Sequence, residues 1–263
     1  MQRIVRQVCG IDVAKDELVV VAGRLYDDMT PELYARKSFP NSDKGFCALL
    51  VWMNKLTEPS IETRFVMEAT GVYHEKLAYF LYGQGQLITV VLPNKISNYF
   101  RTLETKTITD KTASDAIARF GLERKLDNWK PASPVYKKLR QLTRERDQLV
   151  QNRTIAKNQL HAEQSEAEPN KTSLARVKKL IFLLDKQEKE IKAELAALVK
   201  QNEEVKRKVE LIISIPGVGA LTAVTVLAET NGFELIRNKK QLTSYAGLDV
   251  KEKQSGTSVK GKA

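Results

Sequence analysis

From Leu174 to Val205 apolar side chains recur alternately three and four residues apart, a spacing that only a helix packed lengthwise against a partner can bury. Leu174, Val177, Ile181, Leu184, Ile191, Leu195, Leu198 and Val205 hold the a and d positions of one heptad frame, and Glu188 and Asn202 are its two polar members. Upstream, Leu139, Leu142, Leu149 and Leu160 predict a shorter partner helix, with Arg146 and Arg153 interrupting its seam. SEAEPNK lies between them, and Pro169 breaks any helix there. Two long helices joined by such a turn fold back as an antiparallel pair. A plain amphipathic pair within a bundle satisfies the pattern; so does a coiled-coil arm that also dimerises.

The chain before this pair follows another rule. Val8–Val13 and Leu18–Leu25 are short Val-rich runs joined by AKDE, which predicts a β-hairpin, and Tyr34–Phe39 is a third candidate strand. Asn41 or Ser42 can cap a helix through Leu56 with Phe46, Leu49, Leu50 and Met53 on one face. Strands are expected at Arg64–Ala69 and Leu87–Leu92, and helices at Tyr73–Tyr82, Lys95–Leu103 and Thr112–Arg124. Strands first adjacent and then alternating with helices predict an α/β domain with a mixed sheet covered by helices. After the pair, an apolar helix, the turn IPGVG and the small-residue helix ALTAVTVLAET predict a small, mostly helical domain with a polar, basic tail. The expected divisions are 1–130, 131–205 and 206–263.

Composition narrows the partners. The net charge is +11, distributed as +2, +4 and +5 over those three segments, so the carboxylates concentrate in the first and the positive excess in the later ones. Such a charge suits a polyanion, because each neutralised phosphate releases counterions. Cys9 and Cys47 are the only cysteines, and His74 and His161 lie far apart, which excludes a disulfide framework and a zinc site. No run approaches the length of a membrane span and the N-terminus lacks a signal-peptide core, so a cytoplasmic protein without membrane contact is expected.

Three segments of the first domain carry chemistry. In GIDVAK, Asp12 sits at a strand end between Ile11 and Val13, where a carboxylate is costly unless a cation or partner meets it. In FVMEATGVY, Glu68 ends an apolar strand at the point where open α/β sheets place ligands. In TDKTASDAIARFG, Asp110 and Asp115 bracket a helix start. Each alone reads equally as a turn acid, a helix-terminal acid or a cap. Together they supply the carboxylates that two-metal phosphoryl transfer requires. In the last domain, Gly217 and Gly219 would let the N–H groups of a helix start approach a phosphate, as in a helix-hairpin-helix element; an ordinary turn between helices is the alternative.

GIDVAKDE, VMEATGVYHEKLAYFL, VVLPNKI and TDKTASDA, in this order, resemble the DEDD transposases of the IS110 family of insertion sequences. LIISIPGVGALTAVTVLAE and KQLTSYAGLDVKEKQSG resemble that family's second conserved domain. The resemblance implies an RNase H-like, RuvC-like first domain whose Asp12, Glu68, Asp110 and Asp115 bind Mg2+. It implies a serine nucleophile that links covalently to DNA, at Ser255 in QSGTS or else Ser258. It further implies DNA as substrate, a structured guide RNA encoded by the element, homo-oligomers and a bacterial, nucleoid-associated setting. Lys260 and Lys262 in the tail become phosphate contacts. The family spaces its last two acids three apart, whereas here they are five apart. It also continues beyond the serine with a basic segment and a helix, so a truncated copy that only binds nucleic acid is the alternative to a working recombinase. An actin-like sugar kinase or ATPase also opens on Gly-Ile-Asp, but it needs a second Asp-Gly-rich phosphate loop that this sequence lacks.

Overall fold

The Val-rich runs of the first segments build strands that bury side chains on both faces. In the computed structural model, which describes residues 2–103, 109–234, 236–249, and the backbone alone of 251–255 and 258–262, the chain divides at Pro131 into two units.

In the first unit, β1 (Ile4–Val13), β2 (Glu17–Tyr26) and β3 (Pro31–Pro40) form an antiparallel meander. β4 (Thr63–Glu68) pairs parallel with β1, and β5 (Leu87–Val91) parallel with β4. The result is a mixed five-stranded sheet of order β3-β2-β1-β4-β5. Odd-numbered β1 residues, Cys9, Ile11 and Val13, enter one core with Phe46, Leu49 and Met53 of α1 (Asp43–Leu56) and Leu77 and Leu81 of α2 (Glu75–Gly83). The opposite face carries Val8 and Val66 against Ile96 of α3 (Pro93–Phe100) and Ile117 and Leu122 of α4 (Asp110–Glu123). Successive residues of a strand point to opposite faces, so Val8, Gly10 and Asp12 all look toward α4. A Cβ on Gly10 would come within 2.6 Å of Ala118, so the missing side chain is what lets α4 lie against β1.

The structure decides one helix start that the sequence left open and moves another. Ser42, not Asn41, caps α1 by accepting from the Gly45 N–H. α4 begins two residues earlier than periodicity predicts, because Thr109 and Thr112 form a reciprocal cap, and Asp110 becomes the first helical residue rather than its cap.

The second unit opens with α5 (Pro134–Gln164) and α6 (Lys171–Gln201) running antiparallel. Leu139 and Leu142 share a core with Ile191 and Leu195, and Ser173 near the start of α6 bonds Glu163 near the end of α5. The polar interruptions of the two seams meet one another: Glu188, 5% exposed, is ion-paired with Arg146 and Arg153. The seam stops before its predicted end. Asn202 terminates α6 and accepts from the Val205 N–H to cap α7 (Glu203–Ile213), so Val205 is buried from a separate helix. α8 (Ala220–Glu229) and α9 (Lys239–Tyr245) follow. Val205 and Val209 of α7 and Ala223, Val224 and Leu227 of α8 complete the core begun by α5 and α6. The basic tail forms an antiparallel hairpin of β6 (Lys251–Ser255) and β7 (Ser258–Lys262). No described helix is long and apolar enough to cross a membrane.

Candidate active site

Asp12 and Glu68 close the last turns of two adjacent parallel strands. Ile11 registers with Met67, so the residues that follow them, Asp12 and Glu68, come out side by side. Both share strand parity with residues buried under α4, Val8 in one case and Val66 in the other. The first residue of α4 is Asp110. Burial, then the negative charges of Asp110 and Glu68, push Asp12 up to about 6, against a backbone hydrogen bond at Val13 that pulls it down. Burial also raises Glu68. Asp12 therefore feels two other carboxylates at the carboxyl end of β1 and β4, where the loops of an open α/β sheet leave a crevice.

Hard oxygen donors in mutual repulsion are the donor set that a small divalent cation relieves. Among the described residues no group of three or more His, Cys, Asp or Glu side chains stands close enough to hold a metal ion. The acids are neighbours, not a finished coordination sphere.

Asp115 lies elsewhere. At roughly 100° per residue, five helical residues turn it by about 140° from Asp110. Its carboxylate is ion-paired with Arg36 of β3.

Two side chains that the sequence did not assign to the site support the crevice. The Asn41 side-chain amide donates to the Ala14 carbonyl at 2.9 Å and the Tyr73 carbonyl at 3.2 Å. It thereby ties the turn after Asp12 to the loop after Glu68. His74 ends that loop, its pKa lowered by burial. Asn41 Oδ1 and His74 Nδ1 are buried polar atoms without a hydrogen-bond partner. His74 lies in the motif VMEATGVYHEKLAYFL, but only the packing of two loops reveals the part it and Asn41 play.

In the second unit, Gly217 has a φ of +86°, which only glycine adopts freely, and a Cβ there or at Gly219 would meet nothing within 4 Å. Gly219 precedes α8 without a side-chain cap, leaving the N–H groups of the first turn unclaimed by it. Ser255 faces Ser258 across the last rung of the β6–β7 ladder, and Lys260 faces Lys253 and Lys262 faces Lys251. The side chains of Ser255, Ser258, Lys260 and Lys262 lie outside the described residues.

A family profile for DEDD transposases of the IS110 type, described as transposase, matches residues 9–165. A second, described as transposase of the IS116/IS110/IS902 family, matches residues 209–263. The chain belongs to the IS110 transposase family. Two curated relatives, both named pilin gene-inverting protein, are each 28% identical to this transposase. The Moraxella bovis protein aligns over 256 residues and the Moraxella lacunata protein over 254, in each case 95% of this chain and 74% of the relative. Two solved structures of Thermus thermophilus RuvC are similar at 11% identity. One, in complex with a Holliday junction substrate, matches 43% of this chain and 90% of its own at a TM-score of 0.32. The other matches 48% and 85% at 0.31. Those scores are too low to carry an argument. Family membership makes this chain an enzyme of DNA transposition and recombination, and DNA its partner.

Proposed function

We propose that this transposase cuts and rejoins DNA by phosphodiester exchange at an Mg2+ site held by Asp12, Glu68 and Asp110, with Ser255 as nucleophile. The observation that carries the reading is Asp12, raised to about 6 by burial and by the neighbouring charges of Asp110 and Glu68. A bound divalent ion would neutralise these acids and stabilise charge on the attacking and leaving oxygens. Asp115 is the fourth candidate ligand, and it joins the other three only by leaving Arg36. The strand order β3-β2-β1-β4-β5, with β2 alone antiparallel to the rest of the central strands, supports an RNase H-like, RuvC-like domain.

In the exchange, the Ser255 oxygen forms a bond to phosphorus and the strand's own P–O bond breaks. The displaced oxygen leaves as a hydroxyl after taking up the serine proton. Rejoining is the reverse with a new strand end, so no energy source is needed. The names of the Moraxella relatives, pilin gene-inverting proteins, support rearrangement of DNA as the reaction class. Gly217 and Gly219 at the open start of α8, with Lys260 and Lys262 of β7, are the proposed contacts to the phosphate backbone. The family resemblance is the support for a guide RNA. Leu180, Phe182 and Leu183 are exposed large apolar side chains on α6, and they support a coiled-coil arm that brings copies together.

The test is cleavage of a duplex carrying the element's end, with Mg2+, read on a denaturing protein gel for a covalent DNA adduct. Ser255→Ala should abolish the adduct and Ser258→Ala should retain it. An adduct that survives Ser255→Ala moves the nucleophile. A wild-type chain that binds DNA yet neither cuts nor forms an adduct supports a binding role alone.

A further inference from the structure

The outer side of α2 is aromatic. Leu77, Ala78 and Leu81 face the core of the first unit, so the helix presents Lys76, Tyr79 and Tyr82 on the opposite side. Tyr79 is 37% exposed and Tyr82 46%. Trp129, on the segment after α4, packs edge-on against both, with ring centroids 5.4 Å from Tyr79 and 6.1 Å from Tyr82. Its backbone N–H donates to the Ile88 carbonyl of β5 at 2.7 Å, and its side chain is half-buried against the core, so the two tyrosines lean on a fixed support. Just before α2 begins, Tyr73 is 43% exposed, and its carbonyl is the one that Asn41 ties to the turn after Asp12. α2 connects the parallel strands β4 and β5, so it returns from their carboxyl ends to their amino ends. The aromatic surface therefore starts at the mouth of the crevice and runs away from it. Lys76 lies on the same face and Lys130 follows Trp129, both exposed. The acids of these segments act elsewhere, Glu75 on His74 and Asp127 on Arg64.

Scattered apolar side chains on a surface need no explanation, but contiguous exposed rings mark a contact surface. Rings interleaved with lysines suit a nucleic-acid strand, because every base has a π-face and every link a negative charge. A duplex keeps those faces inside its own stack, so only an unpaired strand can use them. Strand exchange supplies one: a cut strand must leave its complement before it is joined to a new end. We infer that this surface holds the unpaired DNA strand leaving the crevice, its bases stacked on Tyr73, Tyr79 and Tyr82 and its phosphates met by Lys76 and Lys130. The inference rests on the reading of the crevice as the place where DNA is cut, and takes nothing from how the acids there meet an ion.

The experiment is fluorescence anisotropy of the purified full chain with a labelled oligothymidylate of about 12 nucleotides, a blunt duplex of the same length and the matching oligouridylate. EDTA is present, so that no divalent ion takes part. Tyr79→Ala with Tyr82→Ala should weaken binding of the oligothymidylate about ten- to a hundredfold, and binding of the duplex by less than about twofold. Tyr79→Phe with Tyr82→Phe should bind both as the wild type does, because the ring stacks and the hydroxyl does not. Lys76→Ala with Lys130→Ala should lower the salt slope for the single strand by about 1.4, at about 0.7 for each phosphate. A second measurement needs no variant. An oligothymidylate carrying iodouracil, irradiated with the wild-type chain, should crosslink to Tyr73, Tyr79, Tyr82 or Trp129.

Equal losses on single strand and duplex overturn the proposal, since they describe a general loss of charge or of fold. It is also overturned if the alanine pair binds the oligothymidylate as the wild type does, which would leave the rings to a protein partner. If the alanine pair loses its melting transition, the crosslinks decide: on these four rings they uphold the surface, and confined to other segments they refute it. Oligouridylate bound more tightly than oligothymidylate, with the same loss in the alanine pair, makes the occupant RNA and refutes the DNA assignment. A chain that never cuts DNA, yet shows the tyrosine-dependent preference for the single DNA strand, fails the proposed function and upholds the surface.

Discussion

Asp12 is placed at a cost to the folded chain. A carboxyl whose pKa rises on folding holds its proton more tightly in the native state than in the unfolded one. Stability therefore falls as pH climbs from about 4, its ordinary value, to about 6, and stays at the lower level above that. Asp12→Asn removes the repulsion from Asp110 and Glu68 without changing shape. Above pH 6 that variant should melt higher than wild type, on the order of 2–4 °C, and below pH 4 the two should coincide. DNA cleavage should fall by about a hundredfold or more while DNA affinity is kept. Scanning calorimetry across pH, alongside the cleavage assay, checks both halves; a variant that melts lower at every pH would make Asp12 a structural residue. A site that is more stable when disabled is what a preorganised, charge-crowded centre predicts.

At the scale of elements, two packing devices decide the architecture. One is the close approach of α4 to β1 at Gly10. Gly10→Val should cost about 3 kcal/mol or more, because the new side chain starts 2.6 Å from Ala118 backbone and the helix must shift to admit it. Since the same helix presents Asp110, cleavage should drop further than the lost stability explains, which urea titration and activity measured together will show. The other device is the polar layer between α5 and α6. Lys192 and then Arg153 hold Glu188 down to about 2, against the upward push of burial. An acid lowered on folding contributes stability that is complete above about pH 4.5 and is lost as pH falls toward 2. Glu188→Gln should therefore lower the melting temperature on the order of 5 °C at pH 7 and have almost no effect near pH 2. A constant loss across that range would mean the pairing with Arg146, Arg153 and Lys192 is not its source.

At the scale of the whole molecule, a net charge of +11 makes DNA binding a matter of ionic strength. Each phosphate contact contributes about 0.9 to the slope of log affinity against log salt. Replacing Lys260 and Lys262 together by alanine should reduce that slope by about 2 and weaken binding to all sequences alike. An unchanged slope would place the phosphate contacts elsewhere. The exposed apolar side chains of α6 bear on assembly in the same way. Phe182, 72% exposed, changed to Glu should shift the chain toward smaller species in sedimentation if copies associate through the helical pair.

Hydrophobic period carried most of the local architecture. Short apolar runs between turn signals gave β1 to β5, three-four spacing gave α5 and α6, and the ordered motifs around Asp12, Glu68 and Asp110 carried the family. These are properties of neighbouring residues along one chain, and a single sequence contains them. What it does not contain are contacts whose partners are far apart in number. Arg146, Arg153 and Glu188 read as flaws in two seams until the helices folded back and paired them. Asn202 read as a seam position and is a cap. Arg36 carried no signal at all, and Asn41 was only one of two candidate caps, because the first acts on Asp115 and the second joins two loops, both through space. The direction of Asp115 was decided by the sheet beneath α4, since helical periodicity states the angle between two side chains but not which one faces the acids.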